Sequence, residues 1–482
     1  MRRRIAGASP LGSALAAAVS IGAVGFALAL LSGALPPTDG ELAGAGTLMQ
    51  IREGALGLLQ SCSASLAEAS AGCGFTALVL PLIDLAGPTG SARAVSVLGG
   101  LALVAAALFA TRELGRELGL DPALWALCVL AALLNPIAIG AFRSGDASAA
   151  CAAAALTGLV WSQRALDSSA RPLAVCARVS CAQTAAILLH SLGIICLAAT
   201  VAYVATRRAL PGVGQPERSA APLAVALCAP ALLAVSLLLA PWAGVGGGAL
   251  PPGLVAYPQA LTLSGAAVSV ALGPLLLVVL RMHLVVSDIP LLAGLAVYVH
   301  AVIVFFGREF DARHFLFAFP LVGIFVLRGL NEAPKRLRDW ATVAFVVANG
   351  LTVVLFASPL GIPAQRLIPD SLAGLHLADL AAQSRQAALF TRLDDLPARA
   401  EVVLVSCAAT AAAAEWVYRF PGHAYIRPDL AASETCQPPA IDSVPEGTVL
   451  VYLGGKEPLS TRQPGVAPLG DGAFRVVERG PS

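Results

Sequence analysis

Apolar runs long enough to cross a bilayer recur along this chain, and most of its charges fall between them. The first run, residues 11–35, already meets the length of about 20 apolar residues that a crossing helix needs. Backbone inside hydrocarbon must satisfy its own hydrogen bonds, so such runs restrict the fold to a helical bundle. Composition agrees, with 57% of the 482 residues apolar and 12% charged, against about 25% charged in soluble domains. The chain reads as a polytopic membrane protein. Its formal net charge of +2 gives no electrostatic footprint for nucleic acid, and no such partner is expected. Met1-Arg2-Arg3-Arg4 ahead of the first run resembles a secretion signal. The run is long for one, and Leu31-Ser32-Gly33-Ala34 is a poor cleavage site, so it is expected to remain as the first helix.

The length rule gives about eleven spans: 11–35, 93–111, 122–141, 147–163, 173–189, 192–206, 221–242, 261–280, 289–306, 315–330 and 340–358. Between the first two lies a less apolar segment, 36–92, in which Met49–Leu59 and Phe75–Leu85 read as interface helices. Lysine and arginine favour the cytoplasmic side. With the N-terminus inside, the inner loops collect Arg2, Arg3, Arg4, Arg112, Arg116, Arg164, Arg171, Arg207, Arg208, Arg218, Arg281, Lys335, Arg336 and Arg338. The outer loops hold only Arg52, Arg93, Arg143, Arg308 and Arg313. An odd number of spans then leaves the tail, 361–482, outside. The expected architecture is an all-α membrane bundle, 1–360, followed by a small extracytoplasmic α/β domain. In that tail Glu401–Cys407, Thr448–Leu453 and Phe474–Glu478 read as strands and Ala408–Phe420 as a helix. No Gly-rich phosphate loop follows its first strand, so it is not read as nucleotide-binding.

The chain has 10 cysteines. Cys128, Cys151, Cys176, Cys181, Cys196 and Cys228 fall inside spans, where they are small apolar fillers. Cys62 and Cys73 share the first outer segment, and Cys407 and Cys436 share the tail. Two in each extracytoplasmic unit suits an oxidising compartment, so disulfides Cys62–Cys73 and Cys407–Cys436 are expected. Four free thiols are the alternative. No Cys/His spacing resembles a zinc site, and no metal site is assigned.

Acids also gather on the outer side. Pro36-Pro37-Thr38-Asp39-Gly40-Glu41 stands where the chain first leaves the membrane. In a chain this poor in charge, Asp39 and Glu41 are either a solvated turn or the reactive end of a site. Arg143, Asp146, Glu309, Asp311, Arg313 and His314 lie at outer span ends too. Local alternatives stand beside each of these. Arg313 reads equally as an interfacial anchor paired with Glu309 or Asp311, Arg143 with Asp146 as a pair holding a turn, and Arg93 as a span-end anchor. His190 and His300 read as polar contacts between helices.

Three stretches together resemble the GT-C superfamily of membrane glycosyltransferases, of the protein O-mannosyltransferase and aminoarabinose transferase type (family 39-like). They are Thr38-Asp39-Gly40-Glu41 after the first span; Ser91-Ala92-Arg93 through Thr111-Arg112-Glu113-Leu114-Gly115 with Leu134-Asn135-Pro136 and Arg143-Ser144-Gly145-Asp146; and Asp311-Ala312-Arg313-His314-Phe315 with Phe319-Pro320. The resemblance covers roughly 1–360. The sequence departs from the pattern where Gly40 separates the two acids and where His314 replaces a tyrosine.

The resemblance implies transfer of a sugar from a polyprenyl-phosphate donor, with inversion, at the outer face of a bacterial inner membrane. The acceptor is a lipid, polysaccharide or protein. Such chemistry needs a carboxylate as general base on the acceptor hydroxyl and cations for the departing phosphate, which arginine suits by its fork of donors. Asp39 is the candidate base, with Glu41 as second choice or positioner. Arg143 and Arg313 are candidates for the phosphate, His314 for a hydrogen bond to it, and Asp146 for orienting an arginine or binding acceptor. Arg93 completes the candidate substrate-binding set. Asp39 and Glu41 are also carboxylates able to hold a divalent cation, but no ligand set is complete. The alternatives are a transporter or flippase of lipid-linked material and a GT-C relative without activity. A transporter should show repeats and midplane charges, and neither is evident here.

Overall fold

The computed structural model describes residues 72–114, 145–167, 172–210, 221–242, 288–306 and 312–324, five strands in the tail, and isolated positions between them. Two compact units are present. One comprises Met1–Ser32, Leu58–Ala77 and Arg93–His376, and the other Gly33–Gly57, Leu78–Ala92 and Leu377–Ser482.

The described helices are α1 (Cys73–Val79), α2 (Ile83–Leu114), α3 (Ser148–Asp167), α4 (Pro172–Leu189), α5 (Leu192–Ala209), α6 (Ala221–Trp242) and α7 (Ile289–Phe306). Cys73–Leu114 and Leu192–Ala209 are each long and apolar enough to cross a membrane, and Leu173–Leu189, Pro222–Ala234 and Ile289–Phe305 are shorter apolar helices. The bounds of α6 and α7 coincide with the expected spans, and α3, α4 and α5 differ from theirs by a few residues. Residues 315–330 do not form one helix. A 3-10 turn occupies Ala312–Phe315, and helix begins at Ala318. Pro320 is tolerated there because first-turn N–H groups have no helical partner.

The start of α2 also departs from expectation. The helix opens at Ile83 rather than near 93, with a 3-10 turn, Leu80–Leu82, joining it to α1. Phe75–Leu85, expected as one interface helix, is divided at Pro81, and a second break stands at Pro88; proline is accepted where the N–H would be unused anyway. At the second break the chain bends rather than ends. Gly87 adopts φ 73° and ψ 169°, a conformation that a Cβ disfavours, and Pro88 restarts the helix.

Small side chains set how closely these helices pack. α3 buries Ser148, Ala149, Cys151, Ala152, Ala153 and Ala155 in its first two turns. A Cβ on Gly99 of α2 would come within 3.0 Å of the Ala150 backbone nitrogen. Such close approach is how helices gain packing in lipid, where apolar burial alone drives little association. α5 shows the complementary pattern. Leu192, Ile195, Cys196, Ala199, Tyr203 and Arg207 are buried along one stripe at helical spacing.

Polar pairs tie the helices. Gln183 of α4 donates to Thr200 of α5 at 3.0 Å. At the far end of α3, Arg164 binds Glu113 of α2 at 2.9 Å, and Arg207 of α5 binds Asp167 at 2.9 Å. Gln163 donates to Asp167 and accepts from Tyr203. In the second unit Arg52 pairs with Asp84, both well exposed, a setting in which an ion pair contributes little.

The tail forms a five-stranded mixed sheet in the order β2-β1-β3-β5-β4. The strands are β1 (Glu401–Ser406), β2 (Ala424–Tyr425), β3 (Val449–Leu453), β4 (Val466–Gly470) and β5 (Ala473–Val476). β1 runs parallel to β2 and β3, while β5 is antiparallel to β3 and β4. Parallel neighbours require crossover connections; the helix expected at Ala408–Phe420 lies outside the described residues. β2 and β4 are additions to the sequence reading. β4 carries Pro468, which cannot donate to a ladder but is accepted on an edge strand, and its register shifts between Pro468 and Gly470.

Candidate active site at one end of the helix bundle

The site is built from three chain segments that are far apart in sequence. Gly145, at φ 64°, turns the chain into α3 and places Asp146 just ahead of its first turn. One carboxylate oxygen, Oδ1, accepts from the backbone N–H of Ser148 at 2.6 Å and from the Ser148 hydroxyl. This local capping satisfies an N–H that the helix leaves open. The Asp146 carbonyl accepts from the hydroxyl of Ser96 on α2. The second carboxylate oxygen, Oδ2, takes Arg313 Nη1 at 3.0 Å, with the two side chains 18% and 29% exposed.

Arg313 belongs to the 3-10 turn between α7 and the following helix. That turn is anchored by burial of Phe315, Phe317 and Phe319. Tyr298 of α7 packs on Phe317 at 4.9 Å and edge-on to Phe315 at 6.5 Å between ring centres. Its hydroxyl donates to the His314 carbonyl. The aromatic anchors therefore fix the backbone that directly follows the guanidinium.

His190, in the short link between α4 and α5, completes the cluster. Its ring lies 6.3 Å from that of His314, and both are buried. The backbone N–H of Leu192 lies 3.1 Å from His190 Nδ1 and holds the ring in place. Burial raises the Asp146 carboxyl pKa, but the charges of Arg313 and His190 and the two bonds from Ser148 outweigh it. The net result is a fall from the ordinary 3.8 to about 2.

A carboxylate with a depressed pKa stabilises the fold above its unfolded value, and that stabilisation is lost as pH falls through the folded one. Asp146 should therefore contribute about 2 kcal/mol near neutrality and lose it between about pH 4 and pH 2. Thermal unfolding of wild type beside Asp146→Asn checks this. Wild type is expected to lose stability across that window, while the variant, already destabilised, changes less.

The structure thus brings Asp146, Arg313 and His314 together. Arg93 sits half-buried on α2 one helical turn before Ser96, whose hydroxyl holds the Asp146 backbone; residues three apart share a helix face. Asp39, Glu41, Arg143, Cys62, Cys407 and Cys436 lie outside the described residues. Cys73 is not among the free cysteines, whereas Cys151, Cys176, Cys181, Cys196 and Cys228 are. Among the described residues no three His, Cys, Asp or Glu side chains gather as a metal site. His190 is the member that the sequence reading placed elsewhere, as an interhelical contact. Span alternation holds the missing signal: α3 leaves the Asp146 end and α4 returns to it, ending at His190.

The chain matches no known family model and no curated protein. Its fold is similar to that of ArnT from Cupriavidus metallidurans bound to undecaprenyl phosphate, with a TM-score of 0.52 over 92% of this chain and 94% of that one at 14% identity. The apo state of the same protein gives 0.51 over 87% and 86% at 15% identity. At this identity the likeness is one of fold. The chain has a fold like that of ArnT, and two of its described helices are long and apolar enough to cross a membrane.

Proposed function

We propose that the chain is an inverting glycosyltransferase that moves a sugar from a polyprenyl-phosphate donor to an acceptor hydroxyl. It works at the extracytoplasmic face of a bacterial inner membrane, with its tail domain on that side. The observation that carries this reading is the Arg313–Asp146 ion pair, flanked by His190 and His314, at one end of the bundle. The likeness to a structure with undecaprenyl phosphate bound supports the class of donor.

In this mechanism the acceptor oxygen attacks the anomeric carbon on the face opposite the phosphate. The bond from that carbon to the phosphate oxygen breaks, and its electron pair leaves with polyprenyl phosphate. Asp39 receives the hydroxyl proton, with Glu41 positioning the acceptor. Arg313 uses donors not engaged by Asp146 to hold the phosphate as its charge grows, and Arg143 and Arg93 add to that field. Phosphate held this way leaves without a general acid. Asp146 does not touch the reacting atoms; it aims Arg313. The disulfides Cys62–Cys73 and Cys407–Cys436 are proposed to brace the outer loop and the tail.

Asp146→Asn tests the arrangement. Loss of the pair should let Arg313 drift, and displacements of about 1 Å cost about 10²-fold in rate. Turnover of a lipid-linked donor should fall by about that factor. Unchanged turnover in a folded variant would remove Asp146 as the positioning residue.

A further inference from the structure

A second polar feature lies toward the opposite end of α3 and is not used by the chemistry above. Trp161 is flanked by two guanidinium groups, Arg164 at 4.8 Å and Arg178 at 4.4 Å from the ring centre. Arg164 also covers Phe109 at 4.8 Å and has its charge met by Glu113. Arg178 differs. It is exposed, and among the described residues its one partner is the indole face of Trp161.

Its place on α4 sharpens the point. Leu173, Ala174, Ala177, Arg178 and Cys181 are all exposed. They fall on one stripe at helical spacing, so that stripe is the outward face of a helix that is otherwise apolar there. Arg178 is six residues past Pro172, about 9 Å along the axis. An arginine facing lipid at that depth must bring its charge to a partner or to the interface. The ring quadrupole of Trp161 meets part of that need, and a guanidinium over a ring face keeps its N–H donors available for a second partner. A phosphodiester matches that edge as a bidentate acceptor.

We propose that Arg178 and Trp161 form a binding site for the headgroup phosphate of an anionic phospholipid, in the leaflet at the Arg164–Asp167 end of the bundle. Charge favours an anionic lipid over a zwitterionic one. Arg164 and Arg207 are balanced by Glu113 and Asp167, and Arg178 adds a positive charge that no described carboxylate pairs with. Surface potentials of anionic leaflets act on such residues within a Debye length.

The test is native mass spectrometry of the full-length protein in detergent with equal amounts of phosphatidylglycerol and phosphatidylcholine. Wild type should retain phosphatidylglycerol several-fold over phosphatidylcholine, and Arg178→Gln should reduce that ratio to near one. Wild type carrying a photoactivatable phosphatidylglycerol headgroup gives a readout independent of the variant's folding, with crosslinks expected in peptides spanning 155–181. Equal retention of the two lipids by wild type, an unchanged ratio in Arg178→Gln, preferred retention of added polyprenyl phosphate at this site, or crosslinks confined to other segments would overturn the proposal.

Discussion

Arg313→Gln is expected to lower kcat/KM for a lipid-linked sugar donor by about 10²- to 10³-fold, the usual effect of removing one preorganised donor from developing negative charge. Glutamine keeps much of the length and a hydrogen-bond donor but loses the charge and the fork. The fall should lie mostly in kcat, because the phosphate carries its greatest charge as it leaves. The fold should persist, since the turn is held by Phe315, Phe317, Phe319 and Tyr298 rather than by the guanidinium. Arg313→Lys should recover part of the rate by restoring charge without bidentate geometry. Combined with Asp146→Asn, the losses should be less than additive, because Asp146 acts through Arg313. Full additivity would separate the two residues and leave the ion pair as a fold contact.

Asp39→Asn should cost more in rate than in binding. Positioned general bases contribute about 10²- to 10⁴-fold, and asparagine preserves size while removing the proton acceptor. Donor binding, read as retention of the lipid-linked sugar, should change little. If Glu41 were the base instead, Glu41→Gln would carry the larger loss, and the pair of variants decides between the two. Equal, small effects in both would favour the reading of Pro36–Glu41 as a solvated turn.

Much of the bundle was legible because its signal is local. α6 and α7 are long, charge-free apolar runs, and their ends fall close to where each run ends. The opening of α2 was not, because proline reads as a stop unless one knows that the preceding glycine takes a positive φ. Asp146 and Arg313 could each be named from sequence as charges at span ends. Their pairing could not, since it depends on how α3 packs beside the turn after α7. His190 was read as an interhelical contact for a related reason: a lone histidine between apolar runs carries no local mark of the carboxylate it faces. In the tail, β1 and β3 are β-branched runs, whereas β4 is disguised by its proline and β2 is too short to read.

The most direct test of the account is stoichiometric turnover by purified wild-type protein, given a panel of polyprenyl-phosphate sugars in a bilayer with candidate acceptors. The account predicts release of one polyprenyl phosphate for each sugar transferred, with inverted configuration at the anomeric carbon. No release with any donor, or movement of intact lipid-linked sugar across the bilayer without cleavage, would contradict it.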